Sequence, residues 1–249
     1  MNKEGKTYRV FAFKAVDEPK LCEDYIRGHV KVLTDYGIEN ITSNHNSWTV
    51  NPDVYCLGLI SGDNELLGGI RIQLANGIYP LPIEDAIGDV EDRIYDLVYE
   101  YGINGGVGEL SGLWVDNQLK GLGIGWYLVR AAIASSNQLN FRTLIGICGD
   151  VTLTMFRNVG FGVDKSIGKD GTFYYPNDRL IAYAVGILDT VTLKRSAEYD
   201  KDIMLSLRKH VRINRIEKDR KKEVNIDYDL QYPNVSKINY RKKNENKFN

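Results

Sequence analysis

The chain has 249 residues, of which 43% are hydrophobic and 26% charged, with a formal net charge of −1. This composition supports a buried core and excludes a wholly disordered protein. No run approaches the ~18 apolar residues of a membrane-spanning helix, and residues 1–9 lack an apolar signal segment. We therefore expect a cytoplasmic protein without a membrane span.

The cysteines and histidines form no metal-binding or disulfide pattern. The three cysteines are far apart, odd in number and without CxxC spacing, which is typical of thiols in a reducing compartment. The three histidines lack the neighbours of a zinc site, so we interpret them as core or surface residues and expect no metal. These six residues are Cys22, Cys56, Cys148, His29, His45 and His210.

In chain order, the first part predicts a strand, a helix and a β-hairpin. Acids and Pro19 mark the start of the helix, and Gly37 is its expected C-cap. Strands are predicted over 8–16, 54–60 and 66–75, a helix over 17–36, a loop over 38–53 and a turn over 61–64.

Apolar residues from Ile83 to Tyr101 repeat at helical spacing and predict one amphipathic helix. The opposite face of this helix is strongly acidic. We interpret that face as solvated, and the alternative is that it attracts a cationic amine.

The second half alternates strands and helices, which favours an α/β (α+β) architecture, a mixed sheet with helices on both faces. Strands are predicted over 107–115, 141–148 and 180–188, and helices over 126–139, 152–159 and 196–221. Residues 194–249 hold 16 Lys or Arg against 9 Asp or Glu, so a basic end follows an acidic body.

The most informative stretch is the turn Lys120-Gly121-Leu122-Gly123-Ile124-Gly125, between a strand and a helix. Glycine lets the backbone turn tightly and approach a ligand closely. The amides of Leu122 to Gly125 can then converge on an anion at the helix start, and Lys120 adds a positive charge. The turn therefore predicts a diphosphate site. A Walker loop and a GxGxxG dinucleotide motif both require a different spacing.

In its context this turn resembles motif A of the GNAT acetyltransferase family, [Q/R]-x-x-G-x-[G/A] after a sheet strand. Lys120, Gly123 and Gly125 fill the fixed positions, with Lys120 in place of Arg or Gln. The stretch from Met155 to Phe161 resembles motif B, of the type L-Y-x-x-x-G-F. The resemblance covers about residues 54–190. It implies a GNAT domain over 1–193, followed by a basic C-terminal helical extension and tail over 194–249.

The resemblance also implies an enzyme that transfers an acyl group from acetyl-CoA or another acyl-CoA to a small-molecule amine. The amine attacks the thioester directly in a ternary complex. In this family the strand before the loop separates from its neighbour, and its backbone pairs with the pantetheine arm. The cofactor-binding residues implied here are Leu113, Trp114, Val115, Lys120, Gly121, Leu122, Gly123, Ile124 and Gly125.

Glu109 is the candidate catalytic base. It precedes Lys120 by eleven residues, a spacing at which several GNAT enzymes place a catalytic glutamate. Burial in a cleft would raise its pKa toward the range suited to accepting a proton. The alternative is a strand carboxylate that pairs with a cation.

The acid that protonates the leaving thiolate is not evident, because the motif B tyrosine corresponds to Phe156. Tyr174, Tyr175 or water could substitute. We interpret Cys148 as a buried strand thiol rather than an acyl-accepting nucleophile, since no histidine is near it in the sequence.

Other interpretations stay open. Residues 67–87 and Glu109-Leu110-Ser111 are also similar to autoinducer synthases, long-chain N-acyltransferases of the same fold that often use acyl carrier protein as donor. A non-catalytic CoA-binding module is a further alternative. Acids interrupt the basic tail, so we expect no nucleic-acid partner. The sequence leaves open whether the chain forms a homodimer.

Overall fold

The computed structural model describes residues 6–38, 46–62, 64–219 and 222–235; His45 and the tail beyond residue 235 lie outside these ranges. The strands are β1 (Thr7–Lys14), β2 (Val54–Ile60), β3 (Leu66–Leu74), β4 (Val107–Val115), β5 (Thr143–Gly149), β6 (Gly162–Val163), β7 (Thr172–Tyr174), β8 (Ile181–Ile187), β9 (Arg212–Asp219) and β10 (Lys222–Asp229). The helices are α1 (Pro19–Asp35), α2 (Pro82–Ile87), α3 (Arg93–Ile103), α4 (Ile124–Ala134), α5 (Ser136–Leu139), α6 (Asp150–Asn158) and α7 (Glu198–Lys209).

The ten strands of the described residues belong to one mixed sheet; the sequence predicts a mixed sheet but only six of these strands. Nine of them follow the order β6-β8-β5-β4-β3-β2-β1-β10-β9, and β7 pairs with β8 on the same edge as β6. The pairs β4–β5 and β1–β10 are parallel and the others antiparallel. The parallel pair β4–β5 is joined by a crossover through α4, which is how parallel strands must be connected.

Two neighbouring glycines of β3 show that helices cover both faces of the sheet. A Cβ on Gly68 would contact Leu128 of α4, whereas a Cβ on Gly69 would collide with the Tyr25 ring of α1. Side chains alternate between faces along a strand, so α1 and α4 lie on opposite faces. No helix of the described residues has the length and apolarity needed to cross a membrane.

The helix predicted over 83–101 is two helices, α2 and α3, with a break over residues 88–92. Ile83, Ile94 and Leu97 are nevertheless buried in one hydrophobic cluster, which explains why the helical spacing continues across the break. At the break, the Tyr95 side chain of α3 packs directly against Gly88. A residue with a Cβ at position 88 would collide with it.

The prediction of a C-terminal helical extension is wrong. Helix α7 ends at Lys209, and residues 212–229 form the hairpin β9–β10. Val224, Ile226 and Tyr228 are buried at every second position, a strand period rather than a helix period. Because β10 pairs in parallel with β1, the hairpin extends the sheet.

Candidate active site

The central feature is a fork between β4 and β5. Residues Val107–Glu109 of β4 pair with Thr143–Ile145 of β5, and beyond Glu109 the two strands separate. Each strand keeps its other neighbour, β3 for β4 and β8 for β5. Gly146 sits at the fork, where a Cβ would lie 2.8 Å from the carbonyl oxygen of Leu110. A cleft of about 270 Å³ lies between the separated strands.

Glu109 lies at the closed end of this cleft and is only 2% exposed. Its Oε2 accepts a hydrogen bond of 2.7 Å from the backbone N–H of Ile83, and its Oε1 accepts none from the described residues. Burial raises the pKa of the carboxyl to about 8, against the opposing effects of the Ile83 amide and Arg71. Glu109 therefore changes charge close to physiological pH.

Several residues that the sequence did not single out line the same cleft. His29 is on the buried face of α1, where burial and Arg71 lower its pKa to about 4, so its imidazole is neutral at pH 7. In the sequence, His29 is marked only as a polar residue within the apolar stripe of the predicted helix. Ser111 follows Glu109 on the same face of β4.

The two tyrosines named from the sequence are placed differently. Tyr175 lines the cleft together with Phe156, whereas Tyr174 does not and is 73% exposed. Cys148 also lines the cleft, and burial raises its pKa to about 12. Its thiol is therefore protonated at neutral pH, and a thiol is a poor nucleophile compared with a thiolate.

The glycine turn has free backbone donors at the start of α4. Gly121 and Gly123 have φ angles of +76° and +74°, which a residue with a Cβ adopts only with strain. The Leu122 amide donates to the carbonyl of Leu119 within the turn. The amides of Gly121, Gly123, Ile124 and Gly125 have no acceptor among the described residues. An anion at the helix N-terminus would satisfy them.

Two lysines flank this turn. The Nζ of Lys120 lies 5.8 Å from the centre of the Tyr36 ring. The Nζ of Lys222, the first residue of β10, would lie 3.5 Å from a Cβ on Gly121. Sequence reasoning missed Lys222 because it is about a hundred residues from the turn and reaches it only through the pairing of β10 with β1.

The strand residues expected along the cofactor do not all face the cleft. Asp116 donates its backbone N–H to Leu67 at 2.8 Å, on the β3 side. Backbone groups alternate sides along a strand, so those of Val115 and Leu113 face the open side and those of Trp114 face β3. A bulge at Gly112, where φ is +61°, precedes these residues. It shifts the register of β4 against β3.

No group of three or more His, Cys, Asp or Glu side chains in the described part of the chain is arranged to hold a metal ion. The candidate site therefore comprises a buried carboxyl group at the fork and, after β4, a turn whose backbone amides lack acceptors among the described residues.

Comparisons with known proteins give one family match and matches to solved structures. The sequence model of the acetyltransferase (GNAT) family matches residues 19–161. FeeM, an N-acyl amino acid synthase from uncultured soil microbes, is 16% identical, with a TM-score of 0.58 over 77% of this chain and 97% of that chain. BjaI, a CoA-dependent acyl-homoserine lactone synthase, is 13% identical, with a TM-score of 0.52 over 90% and 96%. At such identities the structures establish a shared fold. The comparison with curated proteins finds no match.

Proposed function

Because the chain belongs to the acetyltransferase (GNAT) family, we propose that it is an N-acyltransferase that moves an acyl group from acyl-CoA directly to an amine. The observation that carries this proposal is the buried Glu109 carboxyl at the fork of β4 and β5, with one oxygen that accepts no hydrogen bond from the described residues. A base at this position can take a proton from an amine that approaches the end of the cleft.

In the proposed reaction, the amine nitrogen attacks the thioester carbonyl, so that a C–N bond forms and the C–S bond breaks. Glu109 accepts the proton that the nitrogen loses. The leaving CoA thiolate takes a proton from Tyr175 or from water. No acyl-enzyme forms, in keeping with the protonated state of Cys148.

The cofactor is proposed to bind along the fork. The free amides of Gly121, Gly123, Ile124 and Gly125 would bind the diphosphate. The backbone groups of Leu113 and Val115 on the open edge would pair with the pantetheine arm. The thioester then reaches the end of the cleft where Glu109 lies.

The direct experiment is release of free CoA thiol from acyl donors of increasing length, each offered with a panel of amines. Calorimetry with CoA alone gives an independent measure of cofactor binding. The proposal predicts both binding and amine-dependent thiol release. Absence of CoA binding would contradict the assignment of the turn and the fork, and binding without turnover would leave a non-catalytic CoA-binding module.

A long-chain acyltransferase that uses acyl carrier protein is the second candidate. A largely apolar cavity of about 180 Å³ beside Ile83, lined also by Leu97 and Ile145, offers room for a longer acyl chain. Transfer from long-chain acyl carrier protein but not from acetyl-CoA or other acyl-CoA would favour this candidate.

Tyr175→Phe tests the proposed route of the proton to the thiolate. We expect kcat to fall roughly tenfold, less than for a typical general acid because a thiolate is a good leaving group. Tyr174→Phe is the matched control, since this neighbour is exposed and outside the cleft. Equal kcat values for the two variants would assign the proton transfer to water.

Lys222→Ala tests whether the C-terminal hairpin contributes to cofactor binding. A lysine beside the turn adds an exposed charge interaction with a phosphate, so we expect the Kd for CoA to rise about two- to fivefold, less at high salt. Lys209→Ala removes an equal charge at the end of α7, before the first strand of the hairpin, and should leave the Kd unchanged. Equal effects of both variants would indicate a general effect of net charge.

A further inference from the structure

Four polar side chains share one face of the sheet next to the fork. In the ladder between β3 and β4, Arg71 is opposite Ser111 and Gln73 is opposite Glu109. Paired residues point to the same face, and so do residues two apart on one strand. Arg71 and Glu109 are therefore diagonal neighbours, roughly 7–8 Å apart at the backbone. A small molecule can contact both side chains at once.

Arg71 is a buried cation that forms no ion pair in the described part of the chain. It is 2% exposed, and no carboxylate of the described residues lies within ion-pair distance of it. Its Nε donates to the Ser111 hydroxyl at 3.0 Å, and its guanidinium lies 4.7 Å from the centre of the Trp48 ring. Its Nη1 has no hydrogen-bond partner. A buried charge of this kind is unfavourable unless an anion compensates it.

A second buried donor is beside it. The indole Nε1 of Trp48 also lacks a hydrogen-bond partner, and Trp48 is 4% exposed. Both groups can only donate, so a ligand that satisfies them must be rich in acceptors. A guanidinium matches a carboxylate best, because its planar fork can form two parallel hydrogen bonds.

Arg71 and Trp48 line one cavity of about 280 Å³, a size suited to a small ligand. The cavity reaches Pro82, which also lines the cleft that contains Glu109. At its rim is the exposed carboxylate of Asp85. The cavity therefore presents a cation and a donor inside, the carboxylate of Asp85 at its rim, and beside it the carboxyl group of Glu109, which can accept a proton once it is ionised. This charge arrangement is complementary to a zwitterion.

We propose that Arg71 binds the carboxylate of the acceptor, and that the acceptor is an α-amino acid or a close analogue. The inference rests on the proposed function, since it assigns the acceptor of that same reaction. With its carboxylate on Arg71 and Trp48, the amino group of the acceptor lies on the side of Glu109. The product is an N-acyl amino acid, and the carboxylate itself does not react.

The test compares three forms of each acceptor: the amino acid, its carboxamide and the amine left by decarboxylation. Leucine and phenylalanine are suitable parents, with thiol release from acyl-CoA as the readout. The carboxamide has a less basic amino group and the decarboxylated amine a more basic one, so their comparison separates basicity from carboxylate recognition. We expect kcat/KM for the amino acid to exceed both by about 10- to 150-fold, the range for hydrogen bonds to a charged group.

Arg71→Met then removes the guanidinium while keeping an unbranched apolar side chain. We expect KM for the amino acid to rise by a similar factor, so that the ratio of kcat/KM between the amino acid and its decarboxylated amine falls toward one. Because this ratio is taken within one variant, the effect of Arg71 on the pKa of Glu109 cancels. The melting temperature should not fall, because an uncompensated buried charge is removed. Arg27→Met, at an exposed position of α1, is the matched control.

The outcomes are distinct. Wild-type protein that turns over the decarboxylated amines as well as the amino acids would overturn the inference and leave the N-acyltransferase proposal intact. An Arg71→Met variant that loses activity on all three acceptor forms equally would assign Arg71 a structural role. If the variant does not fold, the wild-type comparison decides alone. Absence of thiol release with every acceptor would contradict the proposed function, and the inference with it.

Discussion

Glu109→Gln is expected to lower kcat by about 100- to 1000-fold near neutral pH, within the range of general base catalysis. Glutamine retains an oxygen that can accept the Ile83 N–H, so the local structure at the fork is preserved. It cannot accept a proton from the amine. The measurement is steady-state thiol release at saturating acyl-CoA and acceptor.

The pH dependence of the wild type provides a second readout. With the pKa of Glu109 at about 8, the carboxylate form increases with pH, so kcat should rise about tenfold per pH unit below pH 8 and then level off. This dependence should be absent in Glu109→Gln. Glu100→Gln, on the exposed side of α3, is the control and should keep the wild-type profile. A wild-type profile in Glu109→Gln would exclude Glu109 as the base.

The same shift in pKa predicts a change in stability. The ordinary pKa is 4.5, so between pH 4.5 and about 8 the carboxyl is ionised in the unfolded chain and protonated in the fold. The wild type therefore loses stability as pH rises through this window, by up to roughly 1.4 kcal/mol per pH unit. Relative to the wild type, the unfolding free energy of Glu109→Gln should increase over this range. Denaturant titrations of both proteins at several pH values would measure the difference.

Gly123→Ala is expected to raise the Kd for CoA by about 10- to 100-fold. Alanine at a φ of +74° costs about 1–2 kcal/mol, so the turn relaxes to another backbone conformation. The amides of Gly123 and Ile124 then no longer converge, and hydrogen bonds to a charged diphosphate are worth about 1.5–3 kcal/mol. Calorimetry with CoA measures the loss.

The matched control is Gly105→Ala, at a φ of +114° in the connection between α3 and β4. It introduces comparable backbone strain at the other end of β4, so it should reduce stability without changing the Kd. Unchanged CoA binding in Gly123→Ala would show that the diphosphate does not use this turn. A common loss of affinity in both variants would reflect stability alone.

Local patterns identified much of the fold. The bounds predicted for β2 and β4 agree with the structure, since a run of apolar residues between turn signals is a strong local indication of a strand. The glycine turn was also recognisable, because a positive φ and a helix start are properties of a few adjacent residues. The short strands β6 and β7 were missed, since two or three residues do not establish a period.

The C-terminal hairpin shows why periodicity failed elsewhere. The spacing of apolar residues from Ile203 to Ile216 predicts one continuous helix. In the structure the helix ends at Lys209, and Ile216 lies in strand β9. Residues 212–229 form strands because β10 pairs with β1. In that pairing Thr7 is opposite Asn225, more than 200 residues away in the sequence. No local window contains that interaction.

The sequence by itself determined the family, the turn at the start of α4 and the candidacy of Glu109, because each depends on the order and spacing of nearby residues. Only the tertiary structure decided that His29, Arg71 and Tyr175 approach the same fork, and that Lys222 approaches the turn. It also decided the charge properties of the site. A pKa of about 8 for Glu109 and the unsatisfied Nη1 of Arg71 both arise from burial, which is the removal of water by residues distant in the chain.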